Sequence, residues 1–198
     1  MNQPVQVLGL GELLWDCFPD HRLPGGAPAN VAFHAQQLGL SATIATRVGD
    51  DSLGYELCRF LVEQGLDTRL VQRDSKRQTG TVTISPTIDT SVKYSFLENS
   101  AWDFLEPTAD LLDAVQTARA ICFGTLAQRR PLSRSTIQRC LQRAPAECSI
   151  VYDVNIRPPF FVKEWIAKSM ERANVVKLNS DEVLLLARMF EFPFDDEC

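Results

Sequence analysis

Long apolar runs are missing from this sequence. Its hydrophobic stretches are short and broken by charges, so no transmembrane helix is expected. A cationic excess is missing too. With 20 Lys and Arg against 25 Asp and Glu, the net charge is −5 and the basic residues are scattered, which excludes an electrostatic footprint for nucleic acid. The six cysteines (Cys17, Cys58, Cys122, Cys140, Cys148 and Cys198) form no C-x-x-C pair, and the two histidines form no cluster beside them. A zinc site is therefore not expected, and the thiols read as free in a reducing compartment. The first residues, 1–6, lack a basic n-region and an apolar h-region, which predicts a cytoplasmic protein. There is no internal repeat and no low-complexity segment.

What is present suits a globular fold. A length of 198 residues, 45% of them hydrophobic, is enough for one large domain, or one domain with a small appendage, around a real core. Residues 5–10 read as a first strand, continued by Leu13, Leu14 and Trp15. Gly9 and Gly11 form G-x-G, but Leu14 stands where a dinucleotide fingerprint needs its third glycine, and no helix follows. That reading is rejected. Residues 17–24, with Pro19, Asp20 and Pro24, read as a turn or excursion. A helix is expected over about 28–38, with Ala32, Ala35 and Leu38 inward and Gly39 as its stop; His34 on it is given no role. Strand 42–48 follows, then Gly49-Asp50-Asp51-Ser52 as turn and helix cap. Leu53, Leu57, Phe60 and Leu61 form the inward stripe of the next helix, and 69–72 is a short strand.

From Arg73 the texture changes. Residues 79–85 and 91–97 are Thr-, Val- and aromatic-rich runs that predict an antiparallel hairpin. With the excursion around 13–24 it reads as a small β-sheet over the main domain, serving as a lid or subunit interface. Alternation then resumes: helices over about 107–118, 132–144, 161–172 and 180–190, strands over 120–124, 149–154 and 174–178. In the last helix Val183, Leu186, Ala187 and Phe190 are expected inward. Strands alternating with helices predict an α/β fold, a mostly parallel sheet covered on both faces.

One stretch organises the functional reading: Leu23-Pro24-Gly25-Gly26-Ala27-Pro28-Ala29-Asn30-Val31-Ala32. Gly25 and Gly26 can take positive φ and interpose no side chain between backbone and a ligand. Pro28 suits a first helical turn, and Asn30 would project from that turn with donors and an acceptor. Such an arrangement can grip a polyol; a plain turn before a core helix fits the same residues. Ligands in parallel sheets bind beyond the carboxyl ends of strands, and Asp16, Gly124, Asn155, Arg157 and Asn179 all fall at or just after expected strand ends.

Four stretches resemble the PfkB (ribokinase-like) family of carbohydrate kinases, and most closely its fructokinases. Gly11-Glu12-Leu13-Leu14-Trp15-Asp16 is similar to the opening G-E-x-x-x-D. Gly25 to Ala32, with Leu38-Gly39 and Arg47-Val48-Gly49-Asp50-Asp51-Ser52-Leu53-Gly54, is similar to the first family signature. Asp153-Val154-Asn155-Ile156-Arg157 resembles D-x-N-x-R, and Asn179-Ser180-Asp181-Glu182 resembles N-x-x-E. The resemblance implies a three-layer α/β/α sandwich with a small β-sheet lid, its segments at about 13–24 and 79–98. It implies sugar contact by Asp16, Gly25, Gly26 and Asn30, phosphate or nucleotide contact by Asn155, Arg157 and Asn179, and a role for Glu182 near magnesium through water. ATP and Mg²⁺ are the implied cofactors, a small-molecule sugar the partner, with homodimerisation through the lid. Tyr94, Phe96, Glu98, Asn99 and Trp102 would tune substrate choice.

The family's second signature, D-T-x-G-A-G-D, is absent, and no glycine follows Glu182. That signature supplies the general base and the anion hole, so residues 1–198 read as the N-terminal portion of a sugar kinase domain, an incomplete copy with no catalytic base of its own. The activity implied is ATP-dependent phosphorylation of a sugar hydroxyl, most simply of fructose. The alternatives are a non-catalytic sugar-binding or dimerisation module, or a kinase for 2-keto-3-deoxygluconate, ribose or a nucleoside.

Overall fold

The computed structural model describes residues 6–86 and 92–192. Among the described residues, ten strands form two sheets and six α-helices accompany them. The main sheet contains β1 (Val7–Leu10), β4 (Ala42–Gly49), β5 (Val71–Asp74), β8 (Ala120–Gly124), β9 (Ser149–Asp153) and β10 (Val175–Lys177). Their order is β10-β9-β8-β1-β4-β5, and every pairing is parallel.

Helices cover both faces because the strands alternate. In β1, Leu8 and Leu10 join one core, whose helical contributors are α3 (Ala109–Thr117), α4 (Pro131–Arg143), α5 (Lys163–Arg172) and α6 (Ser180–Phe190). In β4, Ala42, Ile44 and Val48 join the other, with Ala32 of α1 (Ala27–Gln37) and Leu57 and Leu61 of α2 (Ser52–Glu63), while Ala45 points back to the first. This is the three-layer α/β/α sandwich. A Cβ at Gly9 would lie 2.3 Å from the Pro28 carbonyl oxygen, so glycine lets α1 pack closely on β1. No helix among the described residues is long and apolar enough to cross a membrane.

The second sheet has the order β3-β2-β6-β7, from β2 (Leu14–Cys17), β3 (Arg22–Gly25), β6 (Gly80–Pro86) and β7 (Val92–Phe96). β2 runs antiparallel to β3 and parallel to β6, and β6 is antiparallel to β7. Both parts of the expected small sheet are here; the hairpin's turn, 87–91, lies outside the described residues.

Several local expectations need correction. Leu14 and Trp15 do not prolong the first strand; Gly11, at φ 151°, breaks it, and they start β2 in the other sheet. Within the excursion the turn is confined to residues 18–21, and residues 22–25 are a strand of the expected small sheet, antiparallel to β2. Leu38 is 83% exposed, as it forms the C-cap where α1 leaves the core. Val183 is 49% exposed: α6 buries Leu186 and Ala187 along with Glu182, which turns Val183 outward.

Candidate functional site

The two sheets meet over a cavity of about 310 Å³, within the range of small-molecule sites. Each element contributes from its end or edge. The segment after β1 gives Glu12, β2 gives Asp16, and the start of α1 gives Gly26, Ala27 and Asn30. Val82 and Ile84 of β6 with Tyr94 and Phe96 of β7 form an apolar and aromatic wall, and the segment after β9 brings Asn155 and Arg157.

Glycine is required at one position and makes room at the one before it. Gly26 is the N-cap of α1 at φ 114°, and a Cβ there would lie 2.3 Å from the Glu12 carbonyl oxygen. At Gly25 a Cβ would lie 2.2 Å from Asp16 Oδ2. Gly25 therefore makes room for the carboxylate, and Gly26 turns the chain into the helix that carries Asn30. Asp16 itself lies within β2 of the small sheet, not beyond the end of a main-sheet strand, because the chain changes sheets after Gly11. Partial burial raises its pKa, opposed by the charge of Arg157.

In the sequence Glu12 is one letter of the opening motif, with no role attached to it. It is 2% exposed. Its Oε1 accepts from the Ala27 N–H at 3.2 Å, one of the open donors at the start of α1. Its Oε2 is buried without a partner among the described residues. Burial, with a smaller contribution from Asp153, pushes its pKa up to about 7 against the opposing effects of its own backbone N–H, the Ala27 N–H and Arg157. The signal available in sequence was its place beside Gly11 at a strand end; its burial comes from packing of α1 over it, which no local pattern records.

Asn155 adopts φ 38°, a left-handed conformation that asparagine tolerates. Around it the segment after β9 is fixed by three backbone bonds: Val154 N–H to the Lys177 carbonyl at 3.1 Å, Ile156 N–H to Glu182 Oε1 at 2.9 Å, and Thr125 Oγ1 to the Val154 carbonyl. Arg157 then enters the cavity, with Nη1 donating to the Ile156 carbonyl at 3.0 Å and its guanidinium 5.6 Å from the Tyr94 ring centre. Glu182 is spent on this framework: Oε2 accepts from Asn179 N–H at 2.9 Å, and Asn179 Oδ1 accepts from Glu182 N–H at 2.8 Å. The pair is a capping box for α6.

Of the residues named from sequence, Asp16, Gly26, Asn30, Asn155 and Arg157 line one cavity, and Gly25 abuts Asp16. Asn179 and Glu182 do not line it; they hold the segment that presents Arg157. Tyr94 and Phe96 face the cavity. Glu98 pairs with Arg130 at 3.1 Å, Asn99 sits in an exposed turn, and Trp102 is buried beneath the Arg129 guanidinium. The described residues contain no cluster of three metal-ligating side chains. With both Glu182 oxygens on backbone donors, a direct magnesium ligand set does not fit; each oxygen keeps a second lone pair for water. Arg157 and Asn155 suit phosphate oxygens.

The model of the pfkB family of carbohydrate kinases matches residues 10–193. The sugar kinase PH1459 of Pyrococcus horikoshii is 29% identical over 197 residues, an overlap of 91% of this chain and 63% of that protein. Fructokinase-2 of Zea mays is 29% identical over 203 residues, 92% of this chain and 60% of that protein. The chain thus spans a little under two thirds of these relatives. The crystal structure of PH1459 in complex with ATP superposes with a TM-score of 0.84 at 27% identity, over 93% of this chain and 66% of that one. A double mutant of a fructokinase from Vibrio cholerae, in a form with fructose, ADP and potassium ion bound, does so with a TM-score of 0.77 at 25% identity, over 95% of this chain and 64% of that one.

Proposed function

The chain belongs to the pfkB family of carbohydrate kinases, and we propose that its cavity is the sugar site of an ATP-dependent kinase acting on a sugar hydroxyl, most simply that of fructose. The supporting observation is that a carboxylate, Asp16, and an amide, Asn30, line one cavity of sugar size together with Arg157. An ionised carboxylate accepts from two hydroxyls, and Asn30 adds a donor and an acceptor. The aromatic wall from β6 and β7 suits the apolar face of a sugar ring and would exclude water as a lid over it. The fructose, ADP and ATP found with relatives favour the same reading.

In this reading Asp16 and Asn30 orient the sugar, with the Gly26 backbone beside it. Arg157 and Asn155 face the phosphates, and Asn179 and Glu182 keep that segment in register, Glu182 meeting the nucleotide's magnesium only through water. MgATP would supply the phosphoryl group, and phosphoryl transfer demands positioning and charge stabilisation together. No general base is assigned, since the D-T-x-G-A-G-D sequence is absent. The small sheet would double as a homodimer surface, in a cytoplasmic enzyme.

Calorimetry with a panel of sugars tests the reading. Fructose is expected to bind, and Asp16→Asn or Asn30→Ala to weaken it about 10-fold or more, as befits loss of a charge-assisted or well-placed hydrogen bond. Binding unaffected by either change would refute it. ADP release by this chain would refute the incompleteness expected above. Sugar binding without release would support a sugar-binding module.

A further inference from the structure

Two carboxyls, Glu12 and Asp16, share the cavity with Arg157, the one cation among the described lining residues. Both acids feel the Arg157 charge. The groups around Glu12 are Asp153 on β9, whose charge Lys177 on β10 meets at 3.1 Å, Arg157 beyond it, Asp16 on β2 and Cys122 on β8. The Cys122 thiol, pushed up to about 12, stays neutral. The charge balance therefore turns on Glu12. With Glu12 neutral, the charges of Asp16 and Arg157 cancel; with Glu12 ionised, the cavity carries a net negative charge.

The geometry says where the proton sits. Oε1 is held by the Ala27 N–H and Oε2 has no partner, so protonation at Oε2 leaves the tie to α1 intact. We propose that Glu12 is a positioning residue acting through Arg157, and that an anion binding at Arg157 is accompanied by uptake of one proton onto Glu12 Oε2. This rests on the reading above that Arg157 faces phosphate. A bound dianion takes up the guanidinium that otherwise offsets the Glu12 charge and adds negative charge beside it. The Glu12 carboxylate answers by taking a proton from the buffer, forming an O–H bond. By reciprocity, removing that proton weakens the anion.

Sulfate is the probe, since its charge is constant between pH 6 and 8.5. Calorimetric titration in buffers of different ionisation enthalpy is expected to show proton uptake near pH 7. Sulfate should bind about 3–10-fold more weakly at pH 8.5 than at pH 6, as for a coupling of half to one pKa unit. Glu12→Gln keeps an acceptor for Ala27 N–H and cannot ionise; it should bind sulfate equally at both pH values. A ¹³C NMR titration of the wild-type carboxyl should show the Glu12 midpoint rising when sulfate is added. Sulfate binding that depends on Arg157 yet is pH-independent, or depends on pH equally in Glu12→Gln, overturns the Glu12 inference and leaves Arg157 its role. Sulfate binding indifferent to Arg157→Ala overturns the phosphate reading and this inference with it.

Discussion

Glu12 shows how much one buried carboxyl costs a fold. Its pKa is raised from 4.5 to about 7, chiefly by burial. The folded state therefore holds a proton that the unfolded state has already released between those values. Stability from this group is fully present below about pH 4.5 and is lost as pH rises through about 7. The loss is on the order of 2–3 kcal/mol. Denaturant unfolding at pH 5.5 and pH 8 is expected to give a lower midpoint at pH 8. Glu12→Gln should remove most of that difference and be the more stable protein at pH 8. Equal slopes with pH in both proteins would exclude Glu12 as the source.

At the scale of elements, Asp51 joins helix to sheet. Its Oδ1 caps α2 by accepting from Gly54 N–H at 2.8 Å and from Thr79 Oγ1 at 2.7 Å, while Oδ2 accepts from Thr79 N–H at 2.8 Å. Thr79 leads into β6, so this carboxylate pins the small sheet to α2. Burial opposes its charge, but these donors and Arg73 outweigh it and hold its pKa below 3.8. The stability it lends is present above that value and is lost as pH falls further. Asp51→Ala is expected to cost about 2–3 kcal/mol, a cap plus two tertiary hydrogen bonds, read by urea unfolding at pH 7. A loss under 0.5 kcal/mol would show the link to be idle.

The cap at Asp51 was legible because an Asp-Ser pair before a periodic apolar stripe is a local signal. So was the alternation of strands and helices that sets the three layers. The passage of Leu14 and Trp15 into a second sheet was not, because a strand's periodicity carries no record of its partner. Nor was the inward face of α6. Its apolar residues at 183–187 and 190 occupy more than one face, and Glu182, buried for its bonds to Ile156 and Asn179, decides the rotation. In the cavity, Asn30 and Arg157 were readable from a turn and a strand end, whereas Asp16 was readable from the opening motif and not from its place, which is inside β2. Glu12 was not, since an acid beside a glycine reads as solvated until a helix is packed over it.

At the scale of the whole molecule, the two borders of the main sheet differ. β5 at one border is tied to the Glu106 backbone by Gln72, whose amide donates to the Glu106 carbonyl at 2.7 Å and accepts from the Glu106 N–H at 2.9 Å. β10 at the other has only three residues and, among the described residues, β9 as its single neighbour. Val175 there is 51% exposed, and Val183, Leu184 and Leu185 of α6 with Phe192 are exposed as well. An open strand border beside uncovered apolar side chains promotes association of copies. The chain is therefore expected to self-associate at micromolar concentration, measured by sedimentation velocity. Charges placed there, as in Val175→Lys with Leu184→Glu, should remove association beyond the dimer proposed through the small sheet while leaving the far-UV spectrum and fructose affinity unchanged, because neither residue lines the cavity. Association beyond a dimer that survives both charges would show that this border is not its contact.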